Sequence, residues 1–426
     1  MAKMKDMKVL VVGSGGREYA VARALKKSPL VSEVYCAPGN SGLDQIGVKQ
    51  LDIAEDDFKG LKDFAIKEEI DWTFVGPEDA LVAGIVDYFH AFDLKIFGPN
   101  ARAAQLEGSK DYALRFMEKY GVPHPRYDTF QDAESAIQAL PEFGLPVVLK
   151  EDGLAGGKGV VIAEDQETAE NTLREMFDKG QKQVVLEEFL TGPEYSVFAV
   201  MQGGEYRLLP LAQDHKRAYD DDKGPNTGGM GSYSPVPQLS QAEYDEIVDQ
   251  LVKPTAAGLE KGGYDYHGVL YLGLMMTEKG PKMIEYNVRL GDPETEVVLP
   301  RLASDLAELV DANVNDREMP EVKETDDAVL GVILAAEGYP KSPLKGQKLG
   351  AFPAEAGIAV DYANVKADEA GDLFGNGGRI LMVRATAKDL AAAQEHVYSY
   401  LKKLDIPQTF YRHDIGFRAT GKKYQD

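Results

Sequence analysis

In MIEYNVRLGDPE (283–294) a carboxylate, a carboxamide and a guanidinium stand at alternate positions: Glu285, Asn287 and Arg289. Residues i, i+2 and i+4 of a strand share a face, so an extended backbone here projects all three side chains together. Hard oxygen donors such as Glu285 and Asn287 suit magnesium, which takes its remaining ligands from water and substrate phosphates. A guanidinium beside them can grip a carboxylate or a phosphate with two parallel hydrogen bonds. The intervening Ile284, Tyr286 and Val288 fit this arrangement, and they equally fit an ordinary edge strand with one wet face.

LKEDGLAGGKGVVIA (149–163) supplies positive charge. Two β-rich runs flank a glycine-rich turn that carries Lys158, and Lys150 ends the incoming run. This is not a Walker A loop, because no Ser or Thr follows the lysine. The two lysines suit a flap that closes over a triphosphate; a plain hairpin with solvated lysines is the alternative. LEEFLTGPEYSV (186–197) sets Glu187, Glu188 and Glu194 about a strand end. A ribose diol is matched by a carboxylate acceptor and adenine by a backbone donor and acceptor pair, although such acids also describe a solvated edge. GSGGRE (13–18) has the small residues that let backbone amides approach a phosphate at a helix amino end. A dinucleotide fingerprint would need glycine where Glu18 stands, and a plain strand-to-helix turn reads the same way.

These groups need a framework. Strand-like runs KVLVV, EVYCA, DWTFVG and KIFG, separated by helical spacing, point to βαβ units and a parallel sheet. Ligands of such sheets bind at the carboxyl ends of the strands, where GSGG (13–16), APGNSG (37–42) and GPED (76–79) all fall. A helical segment over about 100–120 should stop at Gly121 and Pro123. A small α/β unit follows over about 125–190, then a strand-rich section over about 195–300. The latter contains a long irregular stretch (213–237), expected to be a substrate loop, in which His215 orients a substrate or caps the loop. After a helix at about 302–313, the polar run DREMPEVKETDD reads as a linker to a last α/β unit from 328 to about 420.

A chain of 426 residues suggests about three domains at ~150 residues each, enough to bury large cores. With 47 Lys and Arg against 70 Asp and Glu, the formal charge is −23, which repels nucleic acid and anionic membranes. An anionic substrate must therefore meet a few cations focused in one cleft, helped by a divalent metal. The single cysteine, Cys36, can make no internal disulfide or multi-thiolate zinc site and should be buried filler. H-E-x-x-H and G-x-S-x-G are both absent. The amino end meets a glycine turn instead of a leader's apolar region, and no apolar run nears ~18 residues, so a soluble, cytoplasmic chain is expected.

Taken in order, these segments resemble the ATP-grasp superfamily, and within it the glycinamide ribonucleotide synthetase family. The likeness spans essentially the whole chain and is carried by AQDHKR (212–217), GPNTGGMGSYSP (224–235), GVLYLGLM (268–275), GPKMIEYN (280–287) and RLGDPETEVVLPRL (289–302). GSGGRE, PGNSG and VGPE support it near the start, GYP and NGGRI near the end. Tyr19 departs from the family's wording, standing where His is common after GRE.

The resemblance implies an α/β fold with a Rossmann-like parallel-sheet domain (1–105), an ATP-grasp domain (106–325) with a small mobile lid (about 125–192), and a carboxyl-terminal α/β domain (326–426). It implies ATP-dependent ligation of glycine to 5-phosphoribosylamine through glycyl phosphate, in purine synthesis. Lys110, Lys150 and Lys158 would reach the ATP phosphates, Glu187, Glu188 and Phe189 would meet adenine, and Glu194 would hold the ribose. Glu285 and Asn287 would hold magnesium, with manganese as the alternative. Arg289, with Asp214, Gly291 and Asp292, would face glycine and its phosphorylated form, so that Arg289, Asp214 and Lys158 form the catalytic set. Gly15, Gly16, Asn40 and Glu78 would help receive the phosphoribosylamine. No nucleic-acid or membrane partner is implied, and a transient contact with the enzyme that supplies the short-lived amine is compatible. Competing readings are another ATP-grasp carboxylate–amine ligase or carboxylase and a non-catalytic nucleotide-binding module. The latter predicts damage among Lys158, Glu285, Asn287 and Arg289, all of which suit their roles.

Overall fold

The computed structural model describes residues 6–156 and 159–424. Its first sheet is wholly parallel, in the order Lys49–Gln50, Val31–Pro38, Met7–Gly13, Trp72–Val75, Ile96–Phe97. The central strand is apolar on both faces, with Val9, Leu10, Val11 and Val12 all buried, as a strand covered by helices on either side requires. From it the chain runs outward one way to residues 31–50, then returns to lay residues 72–97 on the other flank. The loops after Gly13 and Val75 therefore meet at the point where strand order reverses, the usual ligand crevice of such sheets. Cys36 is buried in the Val31–Pro38 strand as apolar filler, and burial pushes its thiol well above its ordinary range.

The helical segment expected over about 100–120 is two helices, Ala101–Gly108 and Lys110–Tyr120. Ser109 breaks it: its backbone is extended, and its hydroxyl caps the second helix by accepting the Tyr112 amide. The Asp152 carboxylate takes the Lys110 amide at 2.6 Å and so ties this helix start to the unit that follows.

That unit is a small antiparallel sheet ordered Tyr127–Phe130, Val184–Glu188, Val147–Glu151, Val160–Ala163, with helices Ala133–Phe143 and Gln166–Asp178. Leu140, Leu149, Leu173, Met176 and Leu186 give it a core separate from the two larger ones. A second antiparallel sheet runs Glu205–Leu208, Glu194–Gln202, His267–Thr277, Gly280–Asn287.

The third sheet holds Gln213–Asp214, Gly231–Ser234, Ala328–Ala336, Arg379–Ala387 and Ile358–Tyr362, with Thr409–Phe410 beside Ala328–Ala336. The stretch 213–237, expected to be irregular, thus contributes strands to a sheet shared with the carboxyl-terminal part. These strands are too short to show a period in sequence: Gln213–Asp214 pairs with Gly231–Ser234, whose other partner lies about a hundred residues away at 328–336. Gly231 has φ +156°, and a Cβ there would sit 2.6 Å from the Gly331 carbonyl oxygen, so glycine allows this close approach.

Candidate active site

The Gly280–Asn287 strand does not alternate simply. Met283, Tyr286 and Val288 all belong to one core, which a strict period of two does not allow. A β-bulge resolves this: Gly273 pairs with Glu285 and the next residue, Leu274, pairs with Met283, leaving Ile284 as the extra residue. Beyond the bulge Tyr286 and Val288 return to the core, so Glu285 and Asn287 face the opposite way, as the spacing predicts. The freed Ile284 carbonyl accepts the Lys150 ammonium at 3.3 Å. Gly273 leaves room across the ladder, since a Cβ there would lie 3.2 Å from the Glu285 Cγ.

Glu194, Asp214 and Glu285, which are distant in sequence, line one narrow cleft together with Ser196, Lys216 and Tyr271. Lys150 reaches in from the small unit, paired with Glu187 at 2.7 Å, and Lys110 donates to the Gly153 carbonyl at 2.8 Å. Burial alone would raise the Glu285 carboxyl, but Lys216, Lys150 and Lys110 outweigh it and hold the group below its ordinary value. Asp214, 3.6 Å from Lys216, keeps that ammonium protonated well above its usual range. Glu188 accepts the Arg126 amide at 3.0 Å and pairs with Lys282, and the neighbouring Phe189 is exposed. Lys158 lies outside the described residues.

The donor set fits a cation of the magnesium kind. Glu285 is ionised and Asn287 stands 3.5 Å from it, while no group of three or more His, Cys, Asp or Glu converges among the described residues. A hard cation held by one carboxylate and one carboxamide oxygen must complete its shell with phosphates and water.

In the first-domain crevice the structure places a carboxylate where the sequence suggested a phosphate. Glu18 is buried, accepts the Gly15 amide at 2.7 Å, and pairs with Arg17. A Cβ on Gly76 would lie 1.8 Å from the Glu18 Oε1, and Gly13, at φ +125°, is similarly close, so these glycines make room for Glu18. The Arg17 amide is taken by Asp292 at 3.1 Å, and the buried Glu296 abuts Gly16. Asn40 is fully engaged: it accepts the Gly42 amide and donates to the Ser14 and Tyr362 carbonyls. Tyr19 is buried away from the crevice, edge-on to Tyr362.

Arg289 stands between two carboxylates, Glu78 at 3.1 Å and Glu107 at 2.9 Å. Burial raises the Glu78 carboxyl, but Arg289 and Arg17 outweigh it and bring the group to about 2. Glu107, more deeply buried and beside Glu78, is pushed up to about 7 despite Arg289. Its second oxygen accepts the Val288 amide at 2.7 Å, next to Asn287. The Gly291–Asp292 turn is held from the carboxyl-terminal sheet: Arg379 donates to the Asp292 carboxylate and carbonyl, both at 2.8 Å. Glu294 accepts the Tyr271 and Ser196 hydroxyls at 2.9 and 3.2 Å. His215 is neutral and structural: burial holds it well below its ordinary value, and it accepts the Gly416 amide at 3.0 Å.

Sequence reasoning passed over Lys216, Glu294 and Arg379 as site residues, although each lies inside a motif that carries the resemblance. Glu107 gave no signal, being a single acid in an ordinary helical run.

A small antiparallel unit packed against a central antiparallel sheet, behind a parallel-sheet domain, is the arrangement of an ATP-grasp protein. Biotin carboxylase from Campylobacter jejuni shares the fold at TM-score 0.75 and 17% identity, covering 96% of this chain and 93% of that one. The models of the N, ATP-grasp and C domains of phosphoribosylglycinamide synthetase match residues 7–107, 108–295 and 329–418, and the chain belongs to that family. A phosphoribosylamine–glycine ligase from Lactococcus lactis is 50% identical over 97% of this chain and 100% of its own length. One from Streptococcus pneumoniae is 48% identical over the same shares. The crystal structure of phosphoribosylamine–glycine ligase from Thermotoga maritima superposes at TM-score 0.84 with 35% identity, covering 96% of this chain and all of that one.

Proposed function

We infer that the chain is an ATP-dependent phosphoribosylamine–glycine ligase of purine synthesis. The observation that carries this reading is family membership along the whole chain, joined to a cleft that gathers Lys110, Lys150, Glu194, Asp214 and Glu285. The glycine carboxylate attacks the γ-phosphorus of ATP, the bond to the β-phosphate oxygen breaks, and glycyl phosphate and ADP form. The amine of phosphoribosylamine then attacks the acyl carbon, loses a proton and expels phosphate. Such chemistry asks the protein for positioning and charge neutralisation, with no covalent nucleophile.

In this reading Lys110, Lys150 and Lys158 hold the phosphates, Glu187, Glu188 and Phe189 border adenine, and Glu194 takes the ribose hydroxyls. Glu285 and Asn287 hold magnesium, with manganese as the alternative; when bound, the metal neutralises phosphate charge. Arg289, Asp214, Gly291 and Asp292 orient glycine and its phosphorylated form. Gly15, Gly16 and Glu78 border the phosphoribosylamine, and Asn40 positions the loop beside them. Carboxylates crowd that crevice, which suits sugar hydroxyls and an amine better than a phosphate. The small unit over about 125–192 acts as a lid that keeps water from the acyl phosphate, between a first domain (1–105) and a last one (326–426). No described helix is long and apolar enough to cross a membrane, in keeping with a cytoplasmic enzyme.

ADP release is the test, measured with magnesium and ATP while glycine and phosphoribosylamine are omitted in turn. The reading requires dependence on both, with the amide product seen by mass. ADP release with other acids or amines would discard the named substrates. Lys158→Ala and Asn287→Ala should each lower turnover about 100-fold or more with an unchanged melting profile; full activity in either would remove that residue from the mechanism.

A further inference from the structure

The helix Gly16–Lys26 begins in the first-domain crevice and ends elsewhere, about 16 Å away at 1.5 Å per residue. Its last turn, with the next residue, carries Arg23, Lys26 and Lys27. Opposite lie Ile358 and Ala359 on one strand and Arg384 and Thr386 on its neighbour, across an open cleft of about 480 Å³. A second cleft of about 290 Å³ shares Arg23, Lys27 and Arg384 and extends to Ser304 and Asp305.

Asp361, fully buried, lies 3.0 Å from Arg23 and 2.6 Å from Arg384, and this triad joins the helix to the last sheet. It does not exhaust the positive charge. Arg384 is only 7% exposed and meets Asp361 through Nε alone; its two terminal nitrogens have no protein partner among the described residues. Lys26 and Lys27 are exposed and form no ion pair among the described residues. Four cations thus face one another with Asp361 between two of them and Asp305 at the far rim, on a chain whose formal charge is −23. Partial desolvation of its ammonium, then Arg384 and Arg23, hold Lys27 below its ordinary value against the opposing pull of Asp361.

We propose that this cleft between the amino-terminal helix and the carboxyl-terminal sheet is a second anion site that binds a phosphate-bearing small molecule. Arg384 offers a planar pair of donors at the floor, the mobile ammonium groups of Lys26 and Lys27 close from the rim, and the Thr386 hydroxyl is within the lining. The site is independent of the ligase reading and uses none of its residues.

Titration calorimetry on the full chain tests it, with inorganic pyrophosphate and AMP as probes, comparing the parent with Lys26→Ala/Lys27→Ala and with Lys158→Ala, which impairs the ligase cleft of the proposed function. Lys26→Ala/Lys27→Ala removes two exposed charges, so its melting temperature and its turnover without added probe should match the parent. Binding that is unchanged in Lys158→Ala and weakens at least tenfold in the double variant is the expected result. Tighter binding of AMP than of pyrophosphate would then identify a nucleoside phosphate, and equal or weaker binding an inorganic one. Equal affinity in the parent and the double variant, loss of binding in Lys158→Ala instead, or no binding of either probe would overturn the proposal.

Discussion

Lys150 and Glu187 form a buried ion pair, 5% and 4% exposed, at the seam between the small unit and the central sheet. Removing one partner leaves the other charged and unpaired in a low-dielectric seam, which costs about 3–5 kcal/mol. Lys150→Met should therefore lower the unfolding free energy from urea titration by that much, and adding Glu187→Leu should restore most of it. A single variant as stable as the parent would show that Glu187 finds water instead. The residue types Lys150, Glu285 and Asn287 could be selected from sequence because each lies in a strand-like run where alternation assigns a face. Glu187 could not be given its partner, because nothing in a strand's own pattern names the strand beside it.

Between elements, Glu78, Arg289 and Glu107 join the first domain, the connecting helix and the turn after the Gly280–Asn287 strand. Glu107 stands at about 7 against an ordinary 4.5, so between those values the folded chain keeps a proton that the unfolded chain has lost. Its contribution is complete below about 4.5 and is lost as pH rises through about 7, a change of up to ~3 kcal/mol. Glu78, held at about 2, acts in the opposite sense: its contribution is present above 4.5 and is lost as pH falls through about 2. Relative to Glu107→Gln, the parent's unfolding free energy should fall as pH rises from 4.5 to 7. A difference that stays constant across that window would sink the assignment. The β-bulge at Ile284 belongs to this scale too. The sequence reads as plain alternation through 283–289, and only the neighbouring Gly273–Leu274 backbone shows that an extra residue is inserted.

At the scale of the molecule, Arg379 reaches from the last sheet to the Asp292 carboxylate and carbonyl and to the Gly228 carbonyl. Arg379→Ala removes charged hydrogen bonds that contribute about 1.5–3 kcal/mol each, and it frees the Gly291–Asp292 turn, which in the proposed function orients glycine. Turnover should drop about 100-fold, with unfolding remaining a single cooperative transition. Unchanged turnover would show that the last domain closes the site without organising it. The shared third sheet explains why cooperativity should survive, since residues 231–234 are held by a ladder to 328–336, and 213–214 by a ladder to 231–234, whether or not Arg379 is present.

Local pattern determined the parallel-sheet start, the lysine-bearing hairpin, the shared face of Glu285 and Asn287 and the buried cysteine, because each depends on contacts within a few residues or on burial of one side of a short run. Long motifs added the family. Tertiary structure alone decided that the glycines of the first crevice accommodate Glu18, that Asn40 is fully engaged by backbone, and that Glu107 grips Arg289. It also decided that the stretch 213–237 is part of a sheet. Each is a contact between groups far apart in the chain, and the energy of such a contact depends on which partner the fold delivers, a quantity that no periodicity or composition of one segment contains.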